Sequence, residues 1–191
     1  MKKLKRLFTV SAVFLLLGAT QAVMADDWTL VPGESSINFT GKQTGEAFSG
    51  VFNHFKTDIS YDPDDPSSAR VKAVVNLTSV STGDAQRDTA LPTKDWFFVS
   101  SFPQATFDAT GFQPIGDNRF TVEGELSLRG LIKNIVLPFD LKVKDNRAEM
   151  NATFTVNRAD FGVGSGPWAE GKWVGLDVTI TLNIVAERRT P

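Results

Sequence analysis

From residue 28 onward, apolar and polar side chains alternate with a period of two, the pattern of strands that bury one face. The clearest runs lie in the second half. Ala148, Met150, Ala152, Phe154 and Val156 share one face, opposite Glu149, Asn151, Thr153 and Thr155. Phe120, Val122, Gly124, Leu126 and Leu128 form a second such face, and Ile135, Leu137, Phe139, Leu141 and Val143 a third, where Pro138 predicts an edge or a bulge. The longest run, Val174 through Ala186, sets Leu176, Val178, Ile180, Leu182 and Ile184 inward. Earlier strands are expected at Ile37 and Phe39, around Phe48 to Ile59, from Ala69 to Leu77, and over Ala105, Phe107 and Ala109. Gly116-Asp117-Asn118, Asp145-Asn146 and Gly130 mark short connections between neighbouring strands. About eight antiparallel strands in one domain predict an all-β barrel or sandwich.

One stretch breaks the alternation. Residues 81–92 offer Thr82 or Asp84 as a helix N-cap and stop at Pro92, so a short helix is expected near residues 84–91. Trp96-Phe97-Phe98-Val99 and Phe102 follow it, too many large apolar groups for a plain loop. They must lie over something apolar, such as one end of a barrel.

Charge divides the chain into two parts. Lys2, Lys3, Lys5 and Arg6 precede the apolar run Leu7 to Ala19, a small-residue boundary ends at Ala25, and the first acids are Asp26 and Asp27. That is the layout of a cleavable signal peptide over residues 1–25, cut after Ala25 or, as second choice, Ala22. The run is shorter than the roughly 20 apolar residues a spanning helix requires. A mature domain of residues 26–191 would hold 16 bases against 22 acids. Export to a periplasm is expected, with no transmembrane segment in the mature protein. The acidic balance argues against nucleic acid as a partner, because phosphate backbones demand clustered Lys and Arg.

The inventory of reactive side chains is short. With no Cys and a single His, His54, the chain has no thiol nucleophile and no multi-histidine metal site. Asp62 to Pro66 lacks a calcium-loop frame and reads as a solvated turn. The glycine-rich Gly162 to Trp168 lacks the Gly-Lys-Ser/Thr ending of a phosphate loop. Glu123 and Glu125 share a strand face, but it is the polar one. No catalytic residue, metal or cofactor is assigned. What stands out is an excess of Phe, 15 against one Tyr. Rings without a hydroxyl to satisfy either fill a core or wall a hydrocarbon site, and a closed eight-stranded barrel has an interior just large enough either to pack itself or to hold one small ligand.

Several segments in order resemble the YceI-like family of exported, lipocalin-like barrels, often described as polyisoprenoid-binding. They are Ser36-Ile37-Asn38-Phe39, Phe48 to Phe52, Val80 to Asp88, Phe98 to Phe107, Gly124 to Gly130 and Asn157 to Gly164. The resemblance spans about residues 28–187. It implies an extended antiparallel barrel around an apolar tunnel that holds a long isoprenoid, such as a quinone-like or polyprenyl lipid. Ser35 and Thr89-Ala90 stand where typical members carry His. Gly41 to Gly45 and Trp168 to Trp173 look like the branch found beside b-type membrane cytochromes, which makes such a cytochrome a second expected partner.

The leading expectation is therefore a non-enzymatic exported carrier. Phe39, Phe48, Phe52, Phe107, Phe154, Trp96 and Phe97 are the candidate tunnel or mouth residues. Arg87, Asp88 and Arg129 are candidate polar groups at an entrance, or else an Arg-Asp bridge that pins the helix. At roughly 0.8 kcal/mol per buried carbon, each isoprene unit would gain about 3–4 kcal/mol. The alternatives are a cytochrome-docking module with a filled interior and a lipid-modifying enzyme using His54 or paired carboxylates.

Overall fold

The computed structural model describes residues 26–189, and the expected leader and its cleavage site lie outside them. Alternation turns into strand at the predicted positions, except that the last strand begins at Asp177, so Val174 to Leu176 belong to the loop before it. The segments are β1 (Asp26–Leu30), β2 (Ser36–Gln43), β3 (Glu46–Phe52), β4 (Phe55–Asp62), β5 (Asp65–Asn76), β6 (Val80–Ser81), β7 (Gln104–Thr110), β8 (Gln113–Gly116), β9 (Arg119–Leu128), β10 (Leu131–Lys144), β11 (Arg147–Asn157) and β12 (Asp177–Arg188). The helix α1 (Ala85–Ala90) is capped by Asp84, whose carboxylate accepts from the amides of Gln86 and Arg87.

Six of these segments are halves of longer strands. β1 and β2 both run antiparallel to β12, with Leu30 opposite Ala186 and Ser36 opposite Asn183. The surplus residues on that side form the tight turn Pro32–Glu34. β3 and β4 follow β2 and β1 in the same way and bend at Asn53-His54, so the expected Phe48 to Ile59 strand is continuous but kinked. β5 passes through the turn Leu77–Ser79 into β6, which pairs with β3. The result is eight long antiparallel strands in sequence order, closed where β1 meets β12. Barrel rather than sandwich is the outcome.

Because successive strands alternate in direction, the connections sort to two ends. The upper end carries the β2–β3 turn, residues 82–103 with α1, the Arg129-Gly130 turn, and residues 158–176. The lower end carries the β4–β5 turn, β8, the Asp145-Asn146 turn, and both ends of the described chain, joined by an Arg188–Asp26 ion pair of 3.1 Å. Arg129 and Gly130 both have positive φ, 52° and 76°, as a two-residue hairpin of this twist requires.

The lower end is plugged. Trp28 is 2% exposed and donates its indole N–H to the Tyr61 carbonyl. Tyr61 packs on Phe112 at 5.4 Å between ring centres, Phe112 on Phe139 at 4.9 Å, and Phe139 stacks on Phe120 at 5.6 Å. These rings do fill a core.

One wall is incomplete. β10 pairs with β9 along Leu131 to Asp140, but with β11 only over Asp140–Lys144, opposite Arg147–Asn151. Pro138, which has no N–H for a ladder, stands just past the last of these pairs. The edge predicted from that proline is therefore present, on the side facing β11.

Candidate functional site

The inward positions of the upper half enclose an apolar chamber of about 210 Å³. A second space of about 110 Å³ lies below it, and the two share Ile37, Ala73, Phe107, Leu137 and Leu182 in their walls. Protein interiors seldom leave voids larger than a water molecule, and an apolar cavity of roughly 150 Å³ stays dry and takes up benzene. Empty apolar space on this scale is a place for hydrocarbon. A larger concavity, about 950 Å³, is instead an open groove outside the barrel among Lys72, Asp108, Glu123 and Glu125. That face is charged and solvated, so the two glutamates are surface residues.

All seven aromatic residues singled out from the sequence line the upper chamber: Phe39, Phe48, Phe52, Phe107, Phe154, Trp96 and Phe97. Their arrangement depends on glycine. A β-carbon placed on Gly50 would lie 2.3 Å from the Phe39 ring, one on Gly41 2.9 Å from Phe48, and one on Gly124 2.5 Å from Phe107. Each ring therefore lies flat over a bare stretch of backbone across the strand pair instead of projecting into the lumen. Phe52 bridges Phe39 at 5.5 Å and Phe97 at 5.9 Å, which ties the barrel wall to the loop that covers it.

Two upper loops form the cover. Leu91, Trp96 and Phe97 come from residues 82–103, and Phe161 and Val163 from residues 158–176. The Asp95 carbonyl accepts from the amides of Gly164 and Ser165, and Trp96 packs on Trp168 at 5.7 Å, so the loops meet across the opening. The aromatic run after the helix is thus over an apolar barrel end.

The three predicted polar residues have separate partners. Arg87 lies 4.8 Å above the Phe48 ring, donates to the Gln43 side chain and to Thr82 Oγ1, and pairs with Asp84 at 3.8 Å. Asp88 accepts from the Thr82 amide and hydroxyl, both at 2.7 Å, and from Ser81. Those hydrogen bonds hold its carboxyl below the usual aspartate range. The Arg-Asp bridge expected as an alternative for these residues is therefore corrected. Asp88 points back to the start of its own loop, and the arginine takes the capping aspartate. Arg129 sits apart from both, donating to the Lys94 carbonyl at 2.6 Å.

The sequence reading missed the most unusual side chain. Arg158 is 4% exposed and is the one charged residue in the chamber wall. Its guanidinium donates to five carbonyls, those of Val163, Gly164, Trp168, Val174 and Gly175, with the Trp96 ring 5.4 Å away. Its hydrogen-bond partners are all carbonyls, and burial pushes its pKa down from the ordinary arginine value. A signal was available: Arg158 is the next inward position after Phe154 and Val156 in the period-two pattern.

His54 is exposed, and its hydrogen bonds, to Asn76 and Ser79, run through its backbone. Among the described residues no cluster of acids and histidine fit to hold a metal ion occurs, and no helix is long and apolar enough to cross a membrane.

Known proteins share this architecture. A structure of BcnA from Burkholderia cenocepacia superposes with a TM-score of 0.79 at 24% identity, covering 82% of this chain and 98% of that one. A polyisoprenoid binding domain from Saccharophagus degradans, implicated in plant cell wall breakdown, gives 0.71 at 17% identity over 86% and 99%. At these identities the likeness is one of fold. A UPF0312 protein of Pseudomonas syringae pv. tomato is 31% identical over 172 residues, 86% of this chain and 89% of the relative. A UPF0312 protein of Yersinia pestis is 33% identical over 167 residues, 83% and 86%. The family model for the YceI-like domain matches residues 28–186. With a barrel of the expected strand number and a family match across nearly all of it, the chain belongs to the YceI-like family.

Proposed function

We propose that the protein is an exported, non-enzymatic carrier that holds the hydrocarbon part of a long isoprenoid in its barrel, working in the periplasm after removal of residues 1–25. The observation that carries this reading is the unfilled chamber of about 210 Å³, walled by apolar groups and by Arg158. A filled interior, as a pure docking module would have, is not what the walls enclose. The seven aromatic residues are the proposed ligand contacts, with Arg87, Asp88 and Arg129 at the rim. The polyisoprenoid binding domain that shares the fold supports the same ligand class. An isoprenoid needs no catalytic group to be carried, and His54 on the outer surface is badly placed to act on a guest inside.

Native mass spectrometry of the purified mature protein tests the reading. The expected spectrum shows a co-purified lipid, or stoichiometric uptake of an added prenyl or quinone lipid. Neither lipid retention nor uptake across several preparations would overturn it.

Docking on a membrane cytochrome has one observation in its favour. The two stretches that look like the cytochrome-associated branch meet at the upper end, where Thr44 donates its amide to the Trp173 carbonyl and Trp173 stands half exposed.

A further inference from the structure

We propose that the lipid enters and leaves through the side of the barrel, by the slot between the upper parts of β10 and β11, and not through the loop-covered end. The proposal rests on the carrier reading above. Three observations point to the slot. Pairing between these strands stops at Asp140 opposite Asn151, although both continue upward, β10 starting at Leu131 and β11 ending at Asn157. The β3–β6 seam also pairs over only two residues, but there Arg87 of α1 lies over the Phe48 ring. Below, the slot is closed by the ladder. Above, it is closed by Gly162, which lies against Arg129 and Leu131.

The wall beside the slot is thin. A surface groove of about 350 Å³ at its foot is lined by Pro138 and Phe139 on one lip and Ala152 and Thr153 on the other. Phe139 and Leu182 line both this groove and the internal spaces, so one layer of side chains separates them. Prying a slot without ladder hydrogen bonds costs only side-chain contacts, whereas opening a laddered seam strips several backbone pairs. The lip also carries exposed apolar side chains. Ile132 and Val136 are each 59% exposed and Leu131 47%, three of the five most exposed large hydrophobic residues described, all on β10 beside the slot. By contrast, the upper end is held shut by the five Arg158 hydrogen bonds and the Asp95 contacts. A hydrocarbon chain sliding in sideways crosses the exposed Ile132 and Val136 side chains and need not break that cover.

The chain has no cysteine, so an introduced pair supplies the only thiols. Val136→Cys with Thr155→Cys places them opposite each other, as the Asp140–Asn151 register would if it continued. Asp95→Cys with Ser165→Cys places a pair where the two upper loops meet. Each double variant is bridged with a short bismaleimide and given a dansyl-labelled geranylgeranyl chain from phosphatidylcholine vesicles. Uptake is followed by dansyl fluorescence. The expected result is at least a tenfold slowing in the protein bridged across the slot and an unchanged rate in the protein bridged across the loops. A single Thr155→Cys variant capped with a pyrene maleimide should reproduce the slowing without any bridge. Unchanged uptake with the slot blocked, or equal or greater slowing with the loops bridged, overturns the side entry while leaving the carrier reading intact. Failure of the unmodified protein to take up the probe overturns both.

Discussion

Arg158 offers the sharpest test of how the cover is held. Arg158→Met keeps much of the volume and removes all five hydrogen bonds. The carbonyls of Val163, Gly164 and Val174 belong to buried residues, while Trp168 and Gly175 lie closer to water. A buried acceptor left without a donor costs about 1–3 kcal/mol, so three of them at the low end lose about 3 kcal/mol. Relief of the buried charge returns a part, since burial already disfavours the charged guanidinium. A net loss of about 2–4 kcal/mol is expected by urea unfolding at pH 7. The loss should also be local: amide exchange at Gly164, Ser165 and Gly175, whose N–H groups bond to Asp95 and Lys42, should accelerate well before the barrel strands. Arg158→Lys keeps the charge but has three donors on a point-like head, and should fall between wild type and Arg158→Met. A loss under about 1 kcal/mol with unchanged exchange in residues 158–176 would refute the reasoning, because the carbonyls would then be satisfied without the arginine.

Gly124→Ala should push the Phe107 ring into the lumen, costing about 1–3 kcal/mol in strain and weakening uptake of a prenyl probe; wild-type affinity in a titration would show that the ring has room to yield. Phe107→Arg should abolish lipid uptake while circular dichroism still reports a folded barrel, because the chambers give the new side chain space; global unfolding would mean that the site is packed solid. Asp88 has a depressed folded-state pKa, so its contribution is complete above the unfolded value near 4 and is lost as pH falls through the folded one. Asp88→Asn should therefore lower the melting temperature at pH 7, with the gap to wild type narrowing toward pH 3; a gap constant with pH would rule out the carboxylate as its source.

The strand faces were legible because a half-buried strand writes its burial into every second residue, as in Ala148 to Val156 and Phe120 to Leu128. The helix was legible from Asp84 and Pro92, and the edge from Pro138, since caps and prolines act through bonds local to the chain. The seven aromatic residues could be named because each occupies an inward position of such a pattern or the run after the helix. Their number alone did not separate wall from filling: Phe112, Phe120 and Phe139 stack at the lower end, where Phe112 and Phe139 border the smaller internal space, while Phe39, Phe52 and Phe107 border the larger chamber.

What the sequence by itself determined is the local part: strand positions, turns, cap, and the scarcity of thiol and imidazole chemistry. Tertiary structure decided the rest. Closure of β1 on β12 joins residues some 160 positions apart, a pairing that no local periodicity encodes. The chambers exist because glycines on one strand let rings from the next lie flat, a relation between residues that meet only once the register is set. Arg158 looks like an ordinary end-of-strand arginine until residues 158–176 fold over it and bring five carbonyls round its guanidinium. The slot between β10 and β11 is likewise a property of two strands that part company, and is marked in the chain by a single proline.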